Sequence, residues 1–335
     1  MNLKKIMLFP LLFLMCTSCQ EKIHGKSYDV VIDGNIINNY SNNYQIGGDL
    51  CRIKDRLYFN YQKNGLDYGL IEISDKYAKK ITHQTFQLKD EVKLNNPLLV
   101  ENGTLYSMTR ENIICFSMTE NTFVTLAPIS GYGVGNLYVV DNHSYIYIMS
   151  DLPSTAGNIV LQDRETKRYK TIVSNDVTCF FLKGNIIYYA AVSKDANRIY
   201  KYDMQTHENN LICELRNSTI YYLLFSNNNL IFYSTDDHSI NNIYRINVDE
   251  NVEELDLIYS SSNIEMSMNC YNNDVYVCDH GLTKINFYNK EKVILSQKNC
   301  AECYIVDDKW VYFVDYNSNL WRVTQDGDNL QKIYG

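Results

Sequence analysis

The sequence predicts an all-β fold, a β-propeller of seven four-stranded blades with six blades as the alternative. Three observations carry this reading. A Tyr-centred apolar triplet recurs along the chain, as Leu57-Tyr58-Phe59, Leu105-Tyr106-Ser107, Ile146-Tyr147-Ile148, Ile187-Tyr188-Tyr189, Ile231-Phe232-Tyr233, Val275-Tyr276-Val277 and Val311-Tyr312-Phe313. Their central residues stand 48, 41, 41, 44, 44 and 36 positions apart. Each triplet lies between further β-branched and aromatic runs, separated by turn-forming Asn, Gly and Asp. Tandem units of about 40 residues with four strands each read as a propeller, because one blade cannot cover both its apolar faces and must be buried against the next.

The chain opens with Lys4 and Lys5, an apolar run over 6–15, and Thr17-Ser18 before Cys19. About ten apolar residues are too few to cross a bilayer, which needs roughly 20. The basic start and small-residue end instead fit a secretory signal. Cys19 at that point resembles the lipobox of bacterial lipoproteins, whose Cys is diacylated and becomes the mature N-terminus. Cys16 fits less well, with Leu14 and Met15 before it, and it occupies the place where that family usually has Leu. The resemblance implies a lipoprotein signal peptide over 1–18, a tether over 19–27 and a propeller domain over 28–335, membrane-anchored in the bacterial cell envelope, periplasmic or on the cell surface. A plain signal peptide cut nearby is the alternative. Residues 28–33 alternate like a strand and are expected on the outside of the last blade, fastening the ring.

From Leu50 the repeats run to Gly335 without a Pro-rich or Ser-rich linker, so a single domain is expected. The strand before each triplet is read at 138–140, 179–182, 221–225 and 303–306, among others. It joins the triplet through Asn102-Gly103, Asn142-His143, Gly184-Asn185, 227–229 or Asn272-Asn273, residues that tolerate the positive φ of short hairpins. The strand after the triplet is read at 70–73, 113–116, 159–161, 199–202, 243–246, 284–287 and 320–323, with a weaker last strand beyond it, as at 211–212 and 293–295. No helix is expected in the mature domain.

Tyr276-Val277-Cys278-Asp279 and Tyr312-Phe313-Val314-Asp315 keep the Tyr and the Asp of the Tyr-Trp-Thr-Asp repeats of lipoprotein-receptor propellers. The 322–330 segment, with Asp326-Gly327-Asp328-Asn329, resembles the Asp-Gly-Ser-Asn turn that follows in that family. The chain therefore resembles bacterial, receptor-like propeller domains of unknown function, over about residues 50–335. The resemblance implies the fold and leaves the ligand open.

Charge and cysteines narrow the function. The chain carries 31 basic and 39 acidic residues, a net −8; without residues 1–18 two lysines go, leaving 29 against 39, or −10. Nucleic acid is an unsuitable partner for such a surface. Of ten cysteines, Cys51, Cys179, Cys270 and Cys303 fall in first strands, Cys115 in a third and Cys278 at the end of a second. There a thiol packs as a small apolar residue, so free thiols are expected. Cys300 and Cys303 form a lone CxxC with no second pair and no nearby His, which speaks against zinc. Gly131-Tyr132-Gly133-Val134-Gly135 has no helix after it to hold a phosphate. The six histidines show no ligand spacing, and no catalytic triad or cofactor motif is readable.

One constellation remains, and it is acidic. Loops after the triplets carry Asp151, Asp195, Asp236, Asp237, Asp279 and Asp315, with His280 beside Asp279. The matching Asp of the receptor family ties adjacent blades together, and this structural role stands beside a cation or basic-ligand site. The expected function is a monomeric, non-catalytic binding or scaffold module that meets a protein, peptide or glycan on this rim. Its alternative is an exported hydrolase or lyase using two rim carboxylates as acid and base.

Overall fold

The computed structural model describes residues 50–335 apart from 54–55, 64–66, 74–77, 81–98, 102–103, 110, 118–121, 141–142, 152–155, 194–195, 250–254, 265 and 306–307. The expected signal, lipidation residue Cys19, tether and strand at 28–33 lie outside the described residues, as does Asp195. Among the described residues there is no helix, and every regular element is a strand.

The strands form six antiparallel sheets in strict chain order, spanning 50–80, 99–128, 132–216, 218–261, 267–296 and 302–334. Five have four strands and the third has seven. Every repeated triplet sits in the second strand of a four-strand meander, and each Tyr pairs with the first strand, as Tyr276 with Asn269 and Tyr312 with Tyr304. The expected positive-φ turns are present at Gly184 (57°), Asn227 (46°), Asn228 (60°) and Asn272 (52°). Nothing stands within 4 Å of where a Gly184 side chain would begin, so backbone conformation alone favours glycine there.

The third sheet departs from the sequence reading. Tyr169–Lys183 is one strand of 15 residues, whose first half pairs with Gly157–Asp163 and whose second half pairs with Ile186–Val192. It ends one meander and begins the next. No Gly or Pro interrupts 169–183, and Thr171, Ile172, Val173, Val177 and Thr178 favour extended backbone, while Ser174-Asn175-Asp176 bulges between the two ladders.

Apolar residues on both faces of the sheets are buried between neighbours. Cys51, Ile53 and Tyr58 of the first sheet pack with Leu105 and Phe116 of the second. Cys179, Phe181 and Tyr188 of the third pack with Leu223, Leu230 and Phe232 of the fourth. Tyr276 and Cys278 of the fifth pack with Cys303, Val311 and Phe313 of the sixth. One cluster joins Leu50, Phe59 and Ile71 of the first sheet to Tyr304, Tyr312 and Leu320 of the sixth, together with residues of the fourth and fifth. A fully buried aromatic or branched side chain contributes about 1.5–3 kcal/mol relative to exposure, so no sheet is stable without its neighbours.

The expectation of free thiols is corrected at one pair. Cys278, at the end of Asp274–Cys278, and Cys300, in the connection to the sixth sheet, form a disulfide with Cα atoms 5.1 Å apart. The sequence hides it because the pair is 22 residues apart, joins a strand end to a connection, and uses only one member of the CxxC. Cys51, Cys179, Cys270 and Cys303 are free and buried in first strands, and Cys115 and Cys213 are free and partly buried.

Candidate functional site: the loop-bearing rim

The turns after the triplets and the connections between meanders lie at one end of the strands. The structure separates their acids into different kinds. Asp236 Oδ1 accepts the backbone N–H groups of His238 and Ile240, both at 2.9 Å, while Ser239 takes a φ of 61°. Asp315 repeats this turn: Oδ1 accepts from the N–H groups of Asn317 and Asn319, both at 2.9 Å, and Ser318 takes a φ of 61°. Asp315 Oδ2 also accepts from the Trp321 indole at 2.9 Å and the Asn319 amide at 2.8 Å. These two acids cap their own turns, unlike the blade-tying role that the receptor-family resemblance implies for the matching Asp. Burial opposes ionisation of Asp315, but the bonds from Asn319, Trp321 and Asn317 outweigh it and hold the carboxyl below its ordinary value.

Asp279 does clasp. Its Oδ2 accepts from the Tyr259 hydroxyl at 2.8 Å and its Oδ1 from the Asn263 amide at 2.9 Å, both in the fourth sheet or the connection leaving it. Burial again works against the charge, and the donors from Ser261, Tyr259 and Asn263 overcome it, so this carboxyl is also held low. His280, at φ 57°, is exposed, with Nε2 3.9 Å from Asp279 Oδ1.

Asp237 is exposed and pairs with its neighbour His238 at 2.8 Å. Ligand-type atoms of Asp236, Asp237 and His238 lie within 4.8 Å of one another, but Asp236 Oδ1 is already taken by two backbone donors. Asp151 is exposed at the end of Ser144–Ser150. The structure thus brings Asp236 to Asp237 and Asp279 to His280. It does not gather the rim acids into one centre.

Two open depressions lie on this rim. One is lined by Ser261, Ser262, Asn263, Ile264, Asp279 and His280, and Ile264 is 83% exposed at its edge. The other, of about 420 Å³, is floored by Ser174, Asn175 and Asp176 of the long strand and walled by Ser193, Arg198 and Tyr200. Arg198 is held by Glu214 at 2.8 Å, and Asn175 donates to the Tyr189 hydroxyl at 3.1 Å. The sequence gives no signal for this second depression, which forms where 174–176 lie between two meanders.

No protein-family model matches the chain. No curated protein matches it. Solved structures do. Puromycin hydrolase, as the S511A mutant complexed with PGG, aligns with a TM-score of 0.58 and 8% identity over 86% of this chain and 53% of that one. This chain therefore spans about half of that hydrolase. Oligogalacturonate lyase in complex with manganese gives 0.56 and 11% over 81% and 86%. The oligogalacturonate lyase of Vibrio parahaemolyticus gives 0.54 and 11% over 81% and 86%. The fold is a β-propeller. At these identities the likeness extends to the fold alone.

Proposed function

We propose that this chain is an exported, lipid-anchored propeller of seven blades that acts as a non-catalytic binding or scaffold module, meeting a protein, peptide or glycan on its loop-bearing rim. Seven meanders, two of them sharing Tyr169–Lys183, are the seven blades of this reading, and the apolar cluster between the first and sixth sheets supports a closed ring. The domain division is a signal peptide over 1–18, lipidation at Cys19, a tether to 27 and the propeller beyond. A disulfide at Cys278–Cys300 supports an oxidising compartment such as the envelope.

The observation that carries the binding role is that both depressions open on one rim, where loops stand on a rigid scaffold. Asp279 and Asp315 are held ionised there by neighbouring donors, which suits attraction of a basic segment and not proton donation. The contact residues of this reading are Asp151, Asp195, Asp236, Asp237, His280 and Asp315.

An affinity pull-down from the native envelope with the detergent-solubilised protein tests this. A specific partner is expected with the wild type and is lost when Asp237 and His280 are both replaced by Ala, with melting unchanged. A partner retained by that variant, and by Asp195→Ala, moves the site off this rim.

A further inference from the structure

The depression beside the long strand is lined by side chains that the fold holds in place. Gly157 pairs with Val177 and Ile159 with Val173, so Ser174, Asn175 and Asp176 together stand opposite the single residue Asn158. A bulge leaves its residues unpaired and re-aims their side chains, and all three are exposed here. Asn175 is fixed by donating its amide to the Tyr189 hydroxyl at 3.1 Å, to which Asn209 also donates at 2.8 Å. Tyr200 is fixed by stacking on Tyr189, with ring centroids 5.0 Å apart and planes at 16°. Arg198 is fixed through Nε by Glu214 at 2.8 Å.

Two properties of this lining decide what fits it. One is that polar and apolar groups come from different meanders. Asn158 of the first meander and the bulge supply amides, a hydroxyl and a carboxylate, while the second meander supplies the Tyr200 ring and Val192, which is 40% exposed. Among the described residues no protein group bonds the side chains of Asn158, Ser174 or Asp176, so their donors and acceptors are open to a ligand.

The other property is that the charges cancel. Arg198 is matched by Glu214, which also pairs with Arg216 at 3.4 Å, and Asp176 is the fourth charge. Equal numbers of guanidinium groups and carboxylates leave no excess charge to hold a phosphate or an ammonium group. Calcium takes roughly 6–8 oxygen ligands, and Asp176 is the only carboxylate on the lining among the described residues.

We propose that this depression binds a neutral saccharide. A sugar ring presents C–H groups on its faces and closely spaced hydroxyls at its edge. The Tyr200 ring is a flat apolar platform for the first, and the amide, carboxylate and guanidinium groups offer paired atoms to the second. The volume of about 420 Å³ falls within the roughly 300–1,000 Å³ of small-molecule sites. Holding Asn175, Arg198 and Tyr200 in place beforehand lowers the entropy lost on binding. This site rests on the reading of the rim as a binding face and selects a glycan among its ligands, but it uses residues other than the acidic contacts of that reading.

Saturation-transfer NMR and calorimetry of the solubilised full chain with maltotriose, cellotriose, mannotriose, xylotriose and triacetylchitotriose test the site, with sialyllactose as the charged arm. At least one neutral trisaccharide is expected to bind with a Kd of about 1 mM or tighter, and added salt should leave that value unchanged. Asp176→Ala, at an exposed position, removes a charged hydrogen-bond partner and should weaken that sugar about tenfold. Tyr200→Ala should weaken it severalfold, with a thermal melt to show that the variant is folded and Asn158→Ala read in its place if it is not. Glu165→Ala, in the hairpin at the other end of these strands, should change nothing. Binding of none of the trisaccharides, binding of sialyllactose alone, or full binding after both Asp176→Ala and Asn158→Ala would each overturn the assignment. Sugar binding without capture of an envelope partner supports this site against the partner reading, and partner capture with no sugar bound overturns this site alone.

Discussion

Tyr259 donates its hydroxyl to Asp279 at 2.8 Å, so the end of one sheet is fastened to the hairpin of the next. A hydrogen bond to a charged group contributes about 1.5–3 kcal/mol. Asp279→Ala should therefore lower the melting temperature clearly. Its folded pKa lies below the unfolded value, so the stabilisation is complete above about pH 4 and disappears as pH falls through the folded value. Thermal melts between pH 3 and 7 should show a shallower acid limb for the variant; parallel limbs would remove Asp279 as a clasp.

Asp315 and Asp237 should part company. Asp315→Ala leaves two turn N–H groups and the Trp321 indole without their acceptor, a loss of about 1–3 kcal/mol. Asp237→Ala, at an exposed position, should change stability by under about 0.5 kcal/mol and weaken partner capture. Denaturant titration of each variant beside the pull-down separates the two roles, and equal losses of stability would refute the distinction.

Closure of a 22-residue loop by Cys278–Cys300 stabilises the folded state by about 3 kcal/mol in the chain-entropy description. Peptide mapping without reduction should find this cross-link, and the Cys278→Ala/Cys300→Ala protein should melt lower under oxidising conditions and no lower than wild type in reductant. A mass map with both thiols alkylated would exclude the bond.

Glu302 should behave in the opposite sense to Asp279. Its folded pKa lies above the unfolded value, so the folded state holds a proton that the unfolded chain releases, and stability falls as pH rises through the folded value. Glu302→Gln keeps the acceptor and removes the ionisation. It should melt higher than wild type at neutral pH and like it near pH 4. A variant that melts lower at pH 7 would show the carboxylate to be stabilising as it stands.

Cys19→Ala should move the protein from the membrane fraction to the soluble one and abolish palmitate labelling. Unaltered fractionation and labelling would refute the anchor.

Much of the architecture was legible because a Tyr-centred strand recurs at a nearly fixed period and its Asn and Gly turns have local chemistry of their own. What could not be read depends on contacts between repeats. Asp236, Asp279 and Asp315 look alike in sequence, yet only Asp279 finds Tyr259 and Asn263 across a sheet boundary. Ser174-Asn175-Asp176 lie between the two ladders of one long strand, a crossing set by the pairing of the flanking residues with two different strands.

That crossing also changes how the molecule can open. Elsewhere a meander ends in a connection, so four strands can exchange their amide hydrogens as one local unit. Tyr169–Lys183 carries hydrogen bonds for two meanders along a single backbone. Its middle, 174–176, bulges between the two ladders opposite Asn158, but one backbone still links the two meanders. Hydrogen exchange is therefore expected to show the seven strands of 132–216 opening as one unit, and independent exchange of the two meanders would refute it.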